Sequence, residues 1–260
     1  ILESDLRNVI QETYRIQLAV DECFEAVLLD TGTIHSSESA HVEYNGPALA
    51  SSTRYFYRVK ITDNHGQESP WSDVAYFETA MLDNSQWKAH FITPEKMGAG
   101  NSSRGYLLRK EFVLDGEIEF ARIYSTALGL YELSLNGCRV GDELLTPGWT
   151  AYKKRLQYQT YDVTNMLRNG INVIGATIGC GWYKGDLASW QGRHIFYGDR
   201  NALLLQMLIC YKDGREQLIL SDESWKTTDG PILYSEFYHG EIYDARLEQN
   251  GWDSPSFDDS

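Results

Sequence analysis

The sequence predicts an all-β chain folded as two antiparallel sandwiches, and three observations carry that expectation. Short runs alternate apolar and polar residues with a period of two, from Thr13–Val20 near the start to Leu156–Tyr161. Turn signals separate them, such as Thr31-Gly32-Thr33, Gly46-Pro47, Asp63-Asn64-His65-Gly66 and Asp213-Gly214. No run of long amphipathic helices occurs anywhere along the chain.

Composition bounds the function. With 260 residues the chain is long enough for two domains with real cores. A net charge of −14 argues against nucleic acid and against an anionic membrane surface, since both are bound through cationic side chains. No apolar run reaches the length of a membrane span. The 17 Tyr and 7 Trp suit strands and also suit sugar-binding surfaces. Four scattered cysteines, Cys23, Cys138, Cys180 and Cys210, form no CxxC pair, so zinc spacing is absent and free buried thiols in a reducing compartment are expected. The first residues, ILESDLRN, lack the basic and apolar regions of a signal peptide, which gives a cytoplasmic expectation.

Residues 1–81 form the first predicted unit. Strands are expected at Thr13–Val20, Val27–Asp30, Ala40–Tyr44, Thr53–Thr62 and Val74–Thr79. This order, with TRYFYRVKITDNHG and the SPWS ending, resembles a fibronectin type III domain trimmed at its N-terminal end, and Tyr55 or Tyr57 corresponds to the buried tyrosine of such sandwiches. His35, His41 and His65 are isolated, so this unit reads as a spacer or packing module.

Residues 82–260 form the second. Leu82-Asp83-Asn84-Ser85 is polar and turn-rich and sets the boundary. Strands are expected at Trp87–Ile92, Leu107–Leu114, Glu119–Thr126, Leu156–Tyr161, Asn172–Ile178, Ala202–Tyr211 and Gln217–Leu220. The stretch Arg122–Tyr152 contains Asn136-Gly137 between two alternating runs, the signature of a type I′ hairpin. Asp162 to Leu167 reads as one helical turn with Asp162 as its cap and Gly170 as its stop. The loop Gly179–Asp186 has the spacing G-x-G-x-x-x-G with no amphipathic helix after it, which argues against phosphate binding. It either exposes Trp182 and Tyr183 or buries them on the sheet. Roughly eight to ten strands with almost no helix suit a jelly-roll sandwich.

Residues 87–253 resemble the N-terminal region of bacterial α-L-rhamnosidases of glycoside hydrolase family 78. The residues that carry this are LLRKEF (Leu107–Phe112), ARIYSTALGLYELSLNG (Ala121–Gly137), VGDELLTPGWTAYKKRLQYQTYDVT (Val140–Thr164), GCGWYKG (Gly179–Gly185), GEIYDAR and Gly251-Trp252. The resemblance implies a galactose-binding-like jelly roll preceded by a fibronectin-like domain. It also implies that the parent protein hydrolyses terminal α-L-rhamnosides with inversion, using two carboxylic acids. Those acids belong to a downstream (α/α)6 domain that has no counterpart here, so the chain is expected to be inactive alone, with that catalytic domain and rhamnose-containing glycosides as its partners.

No cofactor is required by the resemblance. In one class of family members, however, the matching sandwich binds rhamnose through a bridging calcium ion, which takes six to eight oxygen ligands. The residues here that would do so are Asp142 and Glu143, with Trp182, Tyr183 and Trp190 as the stacking surface. The binding members carry Asp-Asn where this chain has Asp142-Glu143. Three readings follow: a carbohydrate-binding module, a structural front end packing on the catalytic domain, and a catalytic unit built on acid pairs such as Asp142/Glu143 or Glu241/Asp244. The last is weakest, because pairs arise freely among 37 acids.

Overall fold

The computed structural model describes residues 3–5, 7–94, 103–187 and 196–259. The chain divides into two compact units, Ile1–Gln86 and Trp87–Ser260.

The first unit contains strands β1 (Gln11–Ala19), β2 (Val27–Asp30), β3 (Ile34–His35), β4 (Arg54–Asp63) and β5 (Ala75–Glu78). They form one antiparallel sheet ordered β2-β1-β4-β5, with β3 also pairing β1. The register Ile16↔Val59 and Leu18↔Tyr57 gathers apolar residues on one face, while Arg15↔Lys60 and Gln17↔Arg58 place polar ones on the other. On that polar face the Arg58 guanidinium lies 4.1 Å from the Phe24 ring centroid and 4.7 Å from that of Trp71. Tyr55 is the buried tyrosine, and its hydroxyl accepts from the Ala50 amide at 2.8 Å. The strand expected at Ala40–Tyr44 does not form: His41 adopts a φ of +59°, and the Val42 and Tyr44 side chains face solvent without a partner strand.

The second unit contains β6 (Tyr106–Leu114), β7 (Ile118–Leu128), β8 (Leu130–Leu135), β9 (Cys138–Val140), β10 (Gln159–Asp162), β11 (Gly170–Gly179), β12 (Ala202–Tyr211), β13 (Glu216–Leu220), β14 (Lys226–Asp229), β15 (Ile232–Glu236) and β16 (Gly240–Tyr243). A four-stranded sheet runs β10-β7-β12-β13 and a five-stranded sheet β14-β6-β11-β8-β9, while β15 and β16 pair separately. Leu108, Ile174 and Leu133 from the larger sheet belong to the same buried cluster as Ile123, Leu205 and Met207 from the smaller. Each of these side chains is 3% exposed or less, and the same cluster includes the aromatic side chains of Tyr106, Phe112, Tyr131, Tyr161, Tyr211 and Trp225.

The β8–β9 hairpin turns at Asn136 (φ +54°) and Gly137 (φ +81°), the two positive angles a type I′ turn demands. Trp87–Ile92 does not form the expected strand; among the described residues it contributes one bridge, Ile92 to Leu203. The helical turn is a 3-10 turn at Thr164–Met166, and the Asp162 carboxylate accepts from both the Thr164 amide (3.0 Å) and its hydroxyl (2.7 Å). The four cysteines are free, but only Cys180 and Cys210 are buried; Cys23 and Cys138 are exposed, contrary to expectation.

Candidate functional site

Three loops of the second unit meet through their aromatic side chains. The first follows β9 and is tied to β8 at both polar groups of Thr146: its hydroxyl donates to the Tyr131 carbonyl (2.8 Å) and its carbonyl accepts from the Tyr131 amide (3.2 Å). Beyond it the Tyr152 hydroxyl donates to the Gly148 carbonyl at 2.9 Å, holding Trp149 on a tight outward turn. The second loop follows β11 and is closed by the Gly181 amide donating to the Lys184 carbonyl (2.8 Å). The third is the turn after β15, which carries Phe237.

Trp182 is the centre of the cluster. It stacks on Trp149 with ring centroids 5.3 Å apart and planes 9° apart, and on Phe237 at 3.9 Å and 21°. Trp149 itself is 57% exposed, so the stack ends in a ring open to water. Beside it Tyr152 meets Tyr183 edge-on at 5.4 Å and Tyr197 at 5.0 Å. Burial, reinforced by Tyr197, pushes the Tyr152 phenol up to about 12.

Beneath these loops lies a buried polar anchor. One Glu236 oxygen accepts from the Ser103 hydroxyl (2.7 Å), and the other accepts from the Asp186 amide (3.1 Å). The Asp186 carboxylate lies 3.5 Å from Nε2 of His239, while Lys184 is buried in the same loop. Cys180, also buried, has its thiol pushed up by desolvation, with Lys184 opposing the shift and Glu236 adding to it. Glu236 thus spans the β11 loop and the end of β15. Its carboxylate is engaged in fixing loops, as buried charges usually are.

Asp142 and Glu143 are exposed at the start of the first loop. The Glu143 carbonyl accepts from Arg139 at 2.9 Å, and the Glu143 carboxylate helps raise the Tyr161 phenol, after burial as the main cause. Among the described residues no hydrogen bond, ion pair or ring contact joins either acid to Trp182 or Tyr183, and no group of three or more His, Cys, Asp or Glu side chains is gathered as a metal site. Trp182 and Tyr183 are half-buried in aromatic contacts, which combines the two readings of their loop. Trp190 lies outside the described residues. Phe237 carries no local signal in the sequence, while the Pro147-Gly148-Trp149 segment is the available signal for an outward ring at Trp149. Asp244 and Arg246 form an exposed bridge just after β16, at 2.6 Å. Among the described residues no helix is long and apolar enough to cross a membrane.

Residues 116–260 match the family model of the α-L-rhamnosidase N-terminal domain. The chain belongs to this family. Residues 1–83 match the Rha78A-like N-terminal immunoglobulin domain, an architecture that fibronectin type III domains share. An α-L-rhamnosidase of Formosa agariphila is 40% identical over 240 residues, which cover 89% of this chain and 26% of that protein. Two solved structures are similar in fold and sequence. The α-L-rhamnosidase from Dictyoglumus thermophilum has a TM-score of 0.91 at 38% identity, covering 100% of this chain and 30% of that one. The Streptomyces avermitilis α-L-rhamnosidase complexed with L-rhamnose has a TM-score of 0.92 at 25% identity, covering 98% and 41%. The chain spans 23% to 29% of the length of the curated relatives it matches. It is therefore similar to the N-terminal region of α-L-rhamnosidases of glycoside hydrolase family 78.

Proposed function

We infer that this chain is the non-catalytic N-terminal region of a protein that hydrolyses terminal α-L-rhamnosides, and that its second unit holds a rhamnosyl residue against Trp149. The carrying observation is the Trp149–Trp182–Phe237 stack, which fixes one indole in solvent with an open face. A sugar presents C–H groups on one side of its ring and hydroxyls around its edge, so a rigid aromatic surface captures it at low entropic cost. The net charge of −14 suits a neutral ligand. Kinship with a rhamnosidase solved in complex with L-rhamnose supports the choice of sugar. Hydrolysis is assigned to other parts of the parent protein: the buried acids Asp186 and Glu236 are engaged by Ser103, His239 and a backbone amide. Titration with methyl α-L-rhamnopyranoside, followed by calorimetry, tests the binding; heat that vanishes in Trp149→Ala supports it, and no heat in the parent chain contradicts it.

A second reading rests on Leu144 and Leu145, which are 71% and 55% exposed just before Trp149. Exposed apolar side chains next to one another mark interaction surfaces. In this reading the loop packs on a further domain of the parent protein, shapes the mouth of its active site, and places Trp149 at the rim.

A further inference from the structure

A separate concavity lies on the outer face of the five-stranded sheet. Leu107, Thr177 and Glu132 stand in register across β6, β11 and β8. Their neighbours Leu108, Ala176 and Leu133 are buried in the core, so this row points outward and forms a floor. One row along stands Gly175, and a Cβ there would lie 2.8 Å from the Trp252 ring. Trp252 therefore rests directly on bare backbone, and its carbonyl accepts from Arg109 Nε at 2.9 Å. The opposite wall is Ile232, whose carbonyl accepts from the Gly105 amide (3.0 Å), together with Tyr243. Between these walls is a cleft of about 370 Å³, rimmed by Gln249, Asn250 and Asp253.

The lining specifies a ligand class. The volume falls within the usual range of small-molecule sites, about 300–1,000 Å³. The lining combines two aromatic residues, Tyr243 and Trp252, with Thr177, Gln249 and Asn250, whose side chains both donate and accept, and the Gln249 amide also donates to the Asp229 carbonyl at 3.3 Å. Sugar hydroxyls have that same dual character, and sugar C–H faces suit aromatic walls. The lining holds three acids and no base, which excludes phosphates and other anions. Two of those acids are already engaged: Glu132 lies 3.7 Å from Arg139, and Glu248 accepts from the Tyr243 hydroxyl at 2.8 Å, which disfavours a cation.

We propose that this cleft binds a neutral glycosyl residue, independently of the Trp149 stack. An amide-correlation NMR titration of the whole chain tests it, with methyl α-L-rhamnopyranoside, methyl β-D-glucopyranoside and methyl α-D-galactopyranoside as probes. The expected result is saturable shifts of the Thr177 amide and the Trp252 indole N–H with at least one probe, retained in Trp149→Ala. Thr177→Phe, which fills the floor, should weaken them about tenfold. If that variant fails to fold, Gln249→Ala combined with Asn250→Ala on the exposed rim should weaken them instead. Shifts confined to Trp149 would uphold the first site and overturn this one, as would silence at Thr177 and Trp252 with all three probes. Shifts there that survive both the floor and the rim substitutions would also overturn it.

Discussion

Trp149 and Trp182 lie parallel within 9°, their centroids 5.3 Å apart, with Trp182 also stacked on Phe237 at 3.9 Å. The inner indole thus supports the outer one. The two residues should respond differently to truncation. Trp182→Ala removes the centre of the stack and should destabilise the second unit by about 2–3 kcal/mol, below the usual range of about 3–5 for large aromatic deletions because the ring is only half-buried. Trp149→Ala should cost under about 1 kcal/mol. Denaturant midpoints with unchanged slope would check both values.

Gly175 should be intolerant of even one methyl group. A Cβ there would lie 2.7 Å from Ser134 Oγ and 2.8 Å from the Trp252 ring. Gly175→Ala should therefore push Trp252 off the sheet and destabilise by about 1–3 kcal/mol, the range for overpacking. A changed Trp252 indole signal by NMR would locate the damage.

Ser134 offers the opposite case. Its hydroxyl oxygen is buried and has no hydrogen-bond partner among the described residues. Removing an unsatisfied buried polar atom relieves a desolvation cost, so Ser134→Ala should stabilise by about 1 kcal/mol. Thermal unfolding measured beside the parent chain checks the sign.

Stability should fall in alkali. Burial raises the phenols of Tyr131, Tyr161 and Tyr152, with Tyr152 reaching about 12 against an ordinary 10.0. Above pH 10 the unfolded chain releases these protons before the folded one does, so it binds fewer protons and the slope of stability against pH is negative. The contribution of Tyr152 is intact below about pH 10 and declines toward about 12. Denaturant midpoints across that window should drop, and Tyr152→Phe should flatten the drop.

Much of the fold was legible because its signals are local. A near-continuous apolar run ending at the Asp213-Gly214 turn marked β12 at Ala202–Tyr211, and Asn136-Gly137 marked the β8–β9 turn. Ala40–Tyr44 misled because alternation alone does not supply a partner strand, and His41 turns the backbone away. The site was less legible. Trp182 and Tyr183 were marked by their glycine-rich loop, yet the stack joins Trp149, Trp182 and Phe237 from loops far apart in sequence, a pairing that no spacing encodes. Likewise nothing local announces that Gly175 makes room for Trp252.

Tryptophan fluorescence of the chain titrated with methyl α-L-rhamnopyranoside, with Trp149→Ala measured beside it, tests the sugar-holding role most directly. The stack predicts a saturable emission change in the parent chain that is absent from the folded variant. An equal response in both proteins, or none in the parent at any sugar concentration, would contradict it.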